Sequence, residues 1–143
     1  IEEAEYYIQR AIELNGDSYE YYTDSTYYFL KQMKFEEAIK NLSKLVQLKP
    51  LVFHTWFAYV ETLIAVGEYE QAIAALLTGA LKNFNRAEFF YQLSNVYYIT
   101  EQDQLGNEAL QNALSLDRNL KDSMIEYYPI LEEKINQISG NNE

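Results

Sequence analysis

The residue types able to do chemistry are few, and their spacing does not bring them together. His54 is the single histidine of the 143-residue chain and cysteine is absent, which removes multi-histidine metal sites, thiolate ligands and cysteine nucleophiles together. A Ser-His-Asp arrangement has no local support, because His54 is flanked by Lys49-Pro50 and aromatic residues. A lone histidine at a helix start reads instead as a solvated or groove residue. The adjacent acidic pairs Glu2-Glu3, Glu36-Glu37 and Glu132-Glu133 would point about 100° apart on a helix, so they form solvated faces rather than paired acids and bases. Gly67 and Gly79 stand alone, with no glycine-rich phosphate loop around them. The expectation is a protein that is not an enzyme, with no catalytic residue, no cofactor and no metal.

Composition narrows the partner instead. Eleven basic residues against twenty-two acidic ones leave a formal charge of −11. Phosphate-tracking proteins draw their affinity from Lys and Arg, so nucleic acid is excluded as the main partner, and a neutral to basic polypeptide with apolar anchors fits better. Apolar runs such as Ile73 to Leu77 fall far short of the roughly 20 residues of a membrane span, which argues against membrane insertion. Hydrophobic residues at 48%, five Gly and two Pro point to an all-α globular chain. The Tyr- and Asn-rich composition is in keeping with a bacterial, cytoplasmic protein.

Helical periodicity recurs with a fixed period of 34 residues. Ala4, Ala38, Ala72 and Gly106 form one register of small residues; Ile8, Leu42, Leu76 and Leu110 form a second. A third runs Ala11, Leu45, Gly79 and Ala113, and a fourth, on the preceding helices, Tyr22, Trp56, Phe90 and Met124. Helices are expected near 2–14, 18–32, 35–48, 52–66, 69–83, 86–100, 104–116 and 120–138. Asp17 with Glu20, and Asn85 with Glu88, have capping-box spacing, and Pro50 must lie outside a helix. Pro129 predicts a kink or break near 127–129.

A bulky residue opening one helix and small residues on the next, at this period, resembles the tetratricopeptide repeat, a helix-turn-helix unit. The best-matched stretch, 53–86, has Trp56, Leu63, Gly67, Tyr69, Ala72 and Leu76 on the family positions, although Tyr59-Val60 replaces the expected Leu-Gly pair. Repeats 19–52 and 87–120 match through Tyr22, Phe29, Phe35, Ala38 and Leu42, and through Phe90, Leu93, Ser94, Tyr97 and Leu110; Asp103 breaks the aromatic turn position of the latter. The resemblance implies a right-handed superhelical stack in one domain. Residues 1–16 would be the second helix of a truncated repeat, 121–138 a kinked capping helix and 139–143 a frayed tail. It also implies a C-terminal fragment of a longer protein with repeats upstream, since a stack needs polar ends.

In this family the first helix of each repeat lines a concave groove, with peptide contacts from its second, fifth, ninth, twelfth and thirteenth residues. Carried over, these positions include Tyr27 and Lys31 in one repeat, His54, Phe57 and Glu61 in the next, and Glu88, Tyr91, Asn95 and Tyr98 in the third. Asn95 matches the family position whose amide holds an extended peptide backbone. The aromatics there have two readings, ligand contact or packing on a neighbouring helix. Lys31 is the one groove cation amid Glu20, Asp24, Glu61 and Glu88, so the family's clamp for acidic chaperone tails is not expected. The implied function is a non-catalytic protein-protein interaction module binding a peptide or protein segment. The alternatives are a scaffold or self-association domain, with a possible homodimer, and a secretion-type chaperone.

Overall fold

The helix-forming pattern is realised throughout the computed structural model, which describes residues 19–141. The expected helix at 2–14 with Ala4, Ile8 and Ala11, and the capping residue Asp17, lie outside the described residues. Helices follow in the order α1 (Tyr19–Lys31), α2 (Phe35–Leu48), α3 (Phe53–Ala65), α4 (Tyr69–Ala75), α5 (Ala87–Ile99), α6 (Asp103–Leu116), α7 (Lys121–Tyr127) and α8 (Ile130–Asn141). Among the described residues α4 runs on through a π-helical turn at Leu76–Ala80 and a last helical turn at Leu81–Asn83, and a short 3-10 segment at Arg118–Leu120 precedes α7. The chain divides into two compact units, Ile1–Gly67 and Glu68–Glu143.

In the first unit, α2 buries Ala38, Leu42, Leu45 and Val46, the i, i+4, i+7, i+8 stripe of an amphipathic helix. Helix α1 contributes Tyr21 and Phe29, and α3 contributes Trp56, Val60 and Leu63. Two polar links fix how these helices meet. Asn41 Nδ2 donates to Ser25 Oγ at 2.7 Å between α2 and α1. The Trp56 indole N–H donates to the Pro50 carbonyl at 2.7 Å, so the ring is buried without leaving its one donor unpaired. Pro50 thus ends the α2 segment and also anchors the start of α3.

The second unit is organised around α5. Ten of its thirteen residues are buried, which requires neighbours on every side rather than one apolar stripe. Helix α6 packs on it through Gly106, Ala109, Leu110, Ala113 and Leu114. A Cβ on Gly106 would sit 2.6 Å from the Tyr98 ring, so the close approach of α5 and α6 depends on that missing side chain. Helix α8 touches both α5 and α6 and buries Leu131 and Ile135.

Two details depart from the sequence expectation and one, the break at Pro129, meets it. The helix expected at 69–83 passes through a π-helical turn at Leu76–Ala80, where the Leu81 N–H bonds back to the Leu76 carbonyl; Gly79 within it is a weak helix former. Its spare carbonyl is satisfied by Asn83 Nδ2 at 3.0 Å. The helix expected at 120–138 is broken at Tyr128-Pro129 into α7 and α8, the break that an interior proline imposes. Residues 139–141, expected to fray, continue α8.

The capping box at Asn85 is also not formed. Arg86 is the N-cap of α5 and no side chain caps the helix; Glu88 is instead ion-paired with the Arg86 guanidinium.

The 34-residue period reappears in the backbone of the turns. Met33, Gly67 and Glu101 have φ of 58°, 80° and 61°, one left-handed residue after α1, α3 and α5. Around Met33 the bonds are Met33 N–H to Leu30 O at 3.1 Å and Lys34 N–H to Phe29 O at 2.8 Å. Around Glu101 they are Glu101 N–H to Tyr98 O and Gln102 N–H to Tyr97 O, at 3.1 and 2.8 Å. This is the Schellman pattern, which satisfies the last helical carbonyls by a left-handed residue. Glycine occupies that conformation at no steric cost, whereas Met33 and Glu101 each forfeit about 1 kcal/mol. Met33→Gly and Glu101→Gly should therefore stabilise the chain by about 1 kcal/mol each in urea unfolding, and Gly67→Ala should destabilise it similarly. Equal midpoints for all three variants would contradict this account of the turns.

Candidate functional site

The first unit carries an open depression of about 330 Å³ lined by Leu30, Phe35, Ala58, Glu61, Thr62 and Ala65. Its construction follows from helix geometry. Ala58, Glu61, Thr62 and Ala65 are spaced i, i+3, i+4, i+7 and so share one face of α3. Leu30 closes α1, and Phe35 opens α2 just past the left-handed turn at Met33. The small side chains of Ala58 and Ala65 leave the space. Thr62 Oγ1 donates to the Ala58 carbonyl at 2.7 Å, so its hydroxyl is engaged within α3. Glu61 is then the one charged group among the six lining residues.

Around this depression the sequence candidates take different places. Tyr27 is 63% exposed with Lys31 Nζ 5.0 Å over its ring, a cation–π pair that holds the ring on the surface of α1. His54 is exposed and meets Phe53 edge-on at 5.4 Å. Phe57 is half-buried, stacked on Phe53 at 5.9 Å. Glu61 is half-buried and lines the depression itself. Leu30 and Ala65 occupy the groove positions of the repeat pattern too. Phe35, Ala58 and Thr62 were not legible as site residues; Phe35 reads from the sequence as core, and the signal that could have found the others is the i, i+4 partnership with Glu61.

The second-unit candidates are placed otherwise. Tyr91 is 0%, Asn95 3% and Tyr98 4% exposed, which corrects the expectation that these positions face solvent. The Tyr91 hydroxyl donates to the Asp117 carbonyl at 2.9 Å, and that of Tyr98 to Asn107 Oδ1 at 2.6 Å; Lys134 of α8 lies 4.9 Å over the Tyr98 ring. The Tyr91 bond reaches the residue that follows α6 and the Tyr98 bond reaches α6 itself, and α8 packs against both α5 and α6. Glu88 stays half-buried in its pair with Arg86.

Among the described residues, no group of three or more His, Asp or Glu side chains is placed to hold a metal ion. The shifted groups are phenols: burial pushes Tyr91 up to about 12, with Asp117 adding and Arg118 opposing. Burial likewise pushes Tyr98 to about 12, with Asp103 adding. Raised phenols buried in hydrogen bonds are structural, not acid–base catalysts.

A tetratricopeptide-repeat family model matches residues 29–91, a span that contains every residue of the depression. The match covers 63 of the 143 residues, so this segment is similar to the tetratricopeptide repeat. Similar solved structures include several of MamA. One, MSR-1 C2, is 20% identical with a TM-score of 0.68 over 78% of this chain and 64% of that one. Another, MamA residues 41-end from Desulfovibrio magneticus RS-1, is 19% identical with a TM-score of 0.67 over 99% and 87%. At such identities the likeness is one of fold: an all-α, tetratricopeptide-like helical stack. The chain spans about 64% of the length of the first of these structures. No curated protein matches the chain in sequence. Among the described residues, no helix is long and apolar enough to cross a membrane.

The buried phenols give the second unit a pH signature. Unfolded, Tyr91 and Tyr98 ionise near 10; folded, both hold their protons to about 12. Their contribution to stability is whole below pH 10 and is lost as pH rises across that window, because there the unfolded chain binds fewer protons. Alkaline denaturation should begin above pH 10, and Tyr91→Phe with Tyr98→Phe should flatten the loss. An unchanged slope in the double variant would show that these phenols are solvated.

Proposed function

We propose that this chain is a non-catalytic interaction module whose recognition surface lies in the first unit, along α1 and α3. The depression between Leu30, Phe35 and Ala65 carries the reading. Its walls are apolar, it is open, and exposed or half-exposed rings flank it at Tyr27, Phe53 and Phe57. Such rings lose little conformational entropy when a partner desolvates them, which is why aromatics dominate binding hot spots. Two of the six lining residues, Glu61 and Ala65, sit on groove positions of α3, and Leu30 on one of α1.

The partner that fits is a neutral to basic peptide or protein segment with apolar anchors, engaged in an extended or helical form across the two helices. The formal charge of −11 steers such segments toward the chain and disfavours acidic ones. The buried state of Tyr91, Asn95 and Tyr98 moves the proposed contacts away from the second unit and onto Tyr27, Lys31, His54, Phe57 and Glu61.

Ala65 gives the cleanest test, because it is exposed and a larger side chain there fills the depression without entering the core. Peptides selected on the chain from a displayed random library should lose roughly tenfold or more in affinity toward Ala65→Phe, with its helical circular dichroism unchanged. Selected peptides that bind Ala65→Phe as tightly as the parent chain would place recognition elsewhere.

A further inference from the structure

A segment that fills the depression must supply its own backbone hydrogen bonds. Leu30, Phe35, Ala58 and Ala65 line it and carry no side-chain donor or acceptor. The buried Thr62 hydroxyl is engaged by the Ala58 carbonyl at 2.7 Å, and Glu61 already takes part in an interaction within the chain. Asn95, whose amide matches the family position that holds an extended backbone, comes 34 residues after Glu61 and is 3% exposed in the second unit. An extended segment pressed on these walls would lose water from its peptide N–H and C=O groups and gain no partner for them. A helix satisfies those groups internally and brings only side chains to the walls.

We propose that the partner enters as an amphipathic α-helix lying over α1 and α3, with one apolar side chain in the depression and a lysine or arginine two helical turns away, facing Glu20 and Asp24. This rests on the reading of the first unit as the recognition surface and names the form and chemistry of its ligand. Glu20, Asp24, Tyr27 and Lys31 are all exposed and, spaced by four, three and four, share one face of α1. That face is polarised along its length. Lys31 stands at the end beside the depression, its ammonium 5.0 Å over the Tyr27 ring, and the two carboxylates stand towards the other end. Among the described residues neither carboxylate is ion-paired; Lys49, the cation near the start of α1, lies over the Tyr19 ring at 4.2 Å. A rise of about 1.5 Å per residue puts Asp24 about 9 Å and Glu20 about 15 Å along α1 from Leu30. On a partner helix the residue seven places from the anchor is about 10.5 Å away and about 20° off the anchor's own direction. A long basic side chain there reaches between the two carboxylates, while an uncharged anchor meets no repulsion from Lys31.

The probes are helical alanine-glutamine peptides of about twenty residues, each with one central leucine and two lysines. In the first the lysines stand seven residues from the leucine on both sides, on its own face; in the second they stand nine away, on the opposite face. A third keeps the seven-residue spacing and carries a proline on each side of the leucine, which breaks the helix. All are titrated into the whole 15N-labelled chain and followed by amide NMR. The expected result is saturable shifts along Ala58 to Ala65 and at Glu20 and Asp24 with the first peptide, roughly fivefold weaker binding of the second and roughly tenfold weaker binding of the third. Glu20→Gln combined with Asp24→Asn should bring the first two peptides to equal affinity, and Glu36→Gln, on the exposed face of α2, should change none. Equal binding of the two spacings to the parent chain, equal binding of the helical and proline-broken peptides, or no shifts on α1 and α3 with any of them would overturn this inference. The recognition surface stands in each of those cases if library-selected peptides still lose affinity toward Ala65→Phe, and falls with it if they do not.

Discussion

One backbone constraint recurs through the chain and the rest of the architecture hangs on it: after α1, α3 and α5 a single residue must enter the left-handed region before the next helix can begin. The residues that do so, Met33, Gly67 and Glu101, are spaced by the same 34 residues as the small positions Ala38, Ala72 and Gly106. Within each unit turn and close contact act together: the left-handed residue reverses the chain, and Ala38 after Met33 and Gly106 after Glu101 sit where α2 returns to α1 and α6 to α5. Because only one of the three turns uses glycine, the chain accepts local strain at two of them, which packing of the neighbouring helices must offset.

The two units use this constraint differently. In the first, Phe35 follows immediately on the strained Met33 turn, and with Leu30 before it and the alanines of α3 opposite, the turn becomes one wall of an open depression. In the second, Gly106 admits the Tyr98 ring, the Tyr98 hydroxyl is tied to Asn107, and α8, which follows the break at Tyr128-Pro129, packs against α5 and α6 and buries Leu131 and Ile135.

Much of the fold is legible in the sequence because its causes are local or periodic. The stripe Ala38, Leu42, Leu45, Val46 announces α2; Pro50 announces the end of that segment; Pro129 announces the break. What escaped was tertiary in origin. The π-helical turn at Leu76–Ala80 has no sequence signature beyond Gly79. The failure of Asn85 to cap α5 reflects a one-residue shift of the helix start and the stronger attraction of Glu88 to Arg86. The groove positions Tyr91, Asn95 and Tyr98 follow the repeat count correctly along α5, but register along one helix does not say what another helix will cover. Conversely, Glu61 and Ala65 were found by the same count, and their significance came only with the neighbours Phe35, Ala58 and Thr62.

The account stands on the claim that recognition takes place on α1 and α3 of the first unit, over the depression that Glu61 lines. The most direct measurement is an experimental structure of the chain with a selected peptide bound. It should show the peptide crossing α1 and α3, with an apolar side chain seated between Leu30, Phe35 and Ala65. A peptide bound on the second unit, or one crossing the first unit with the depression empty, would contradict it.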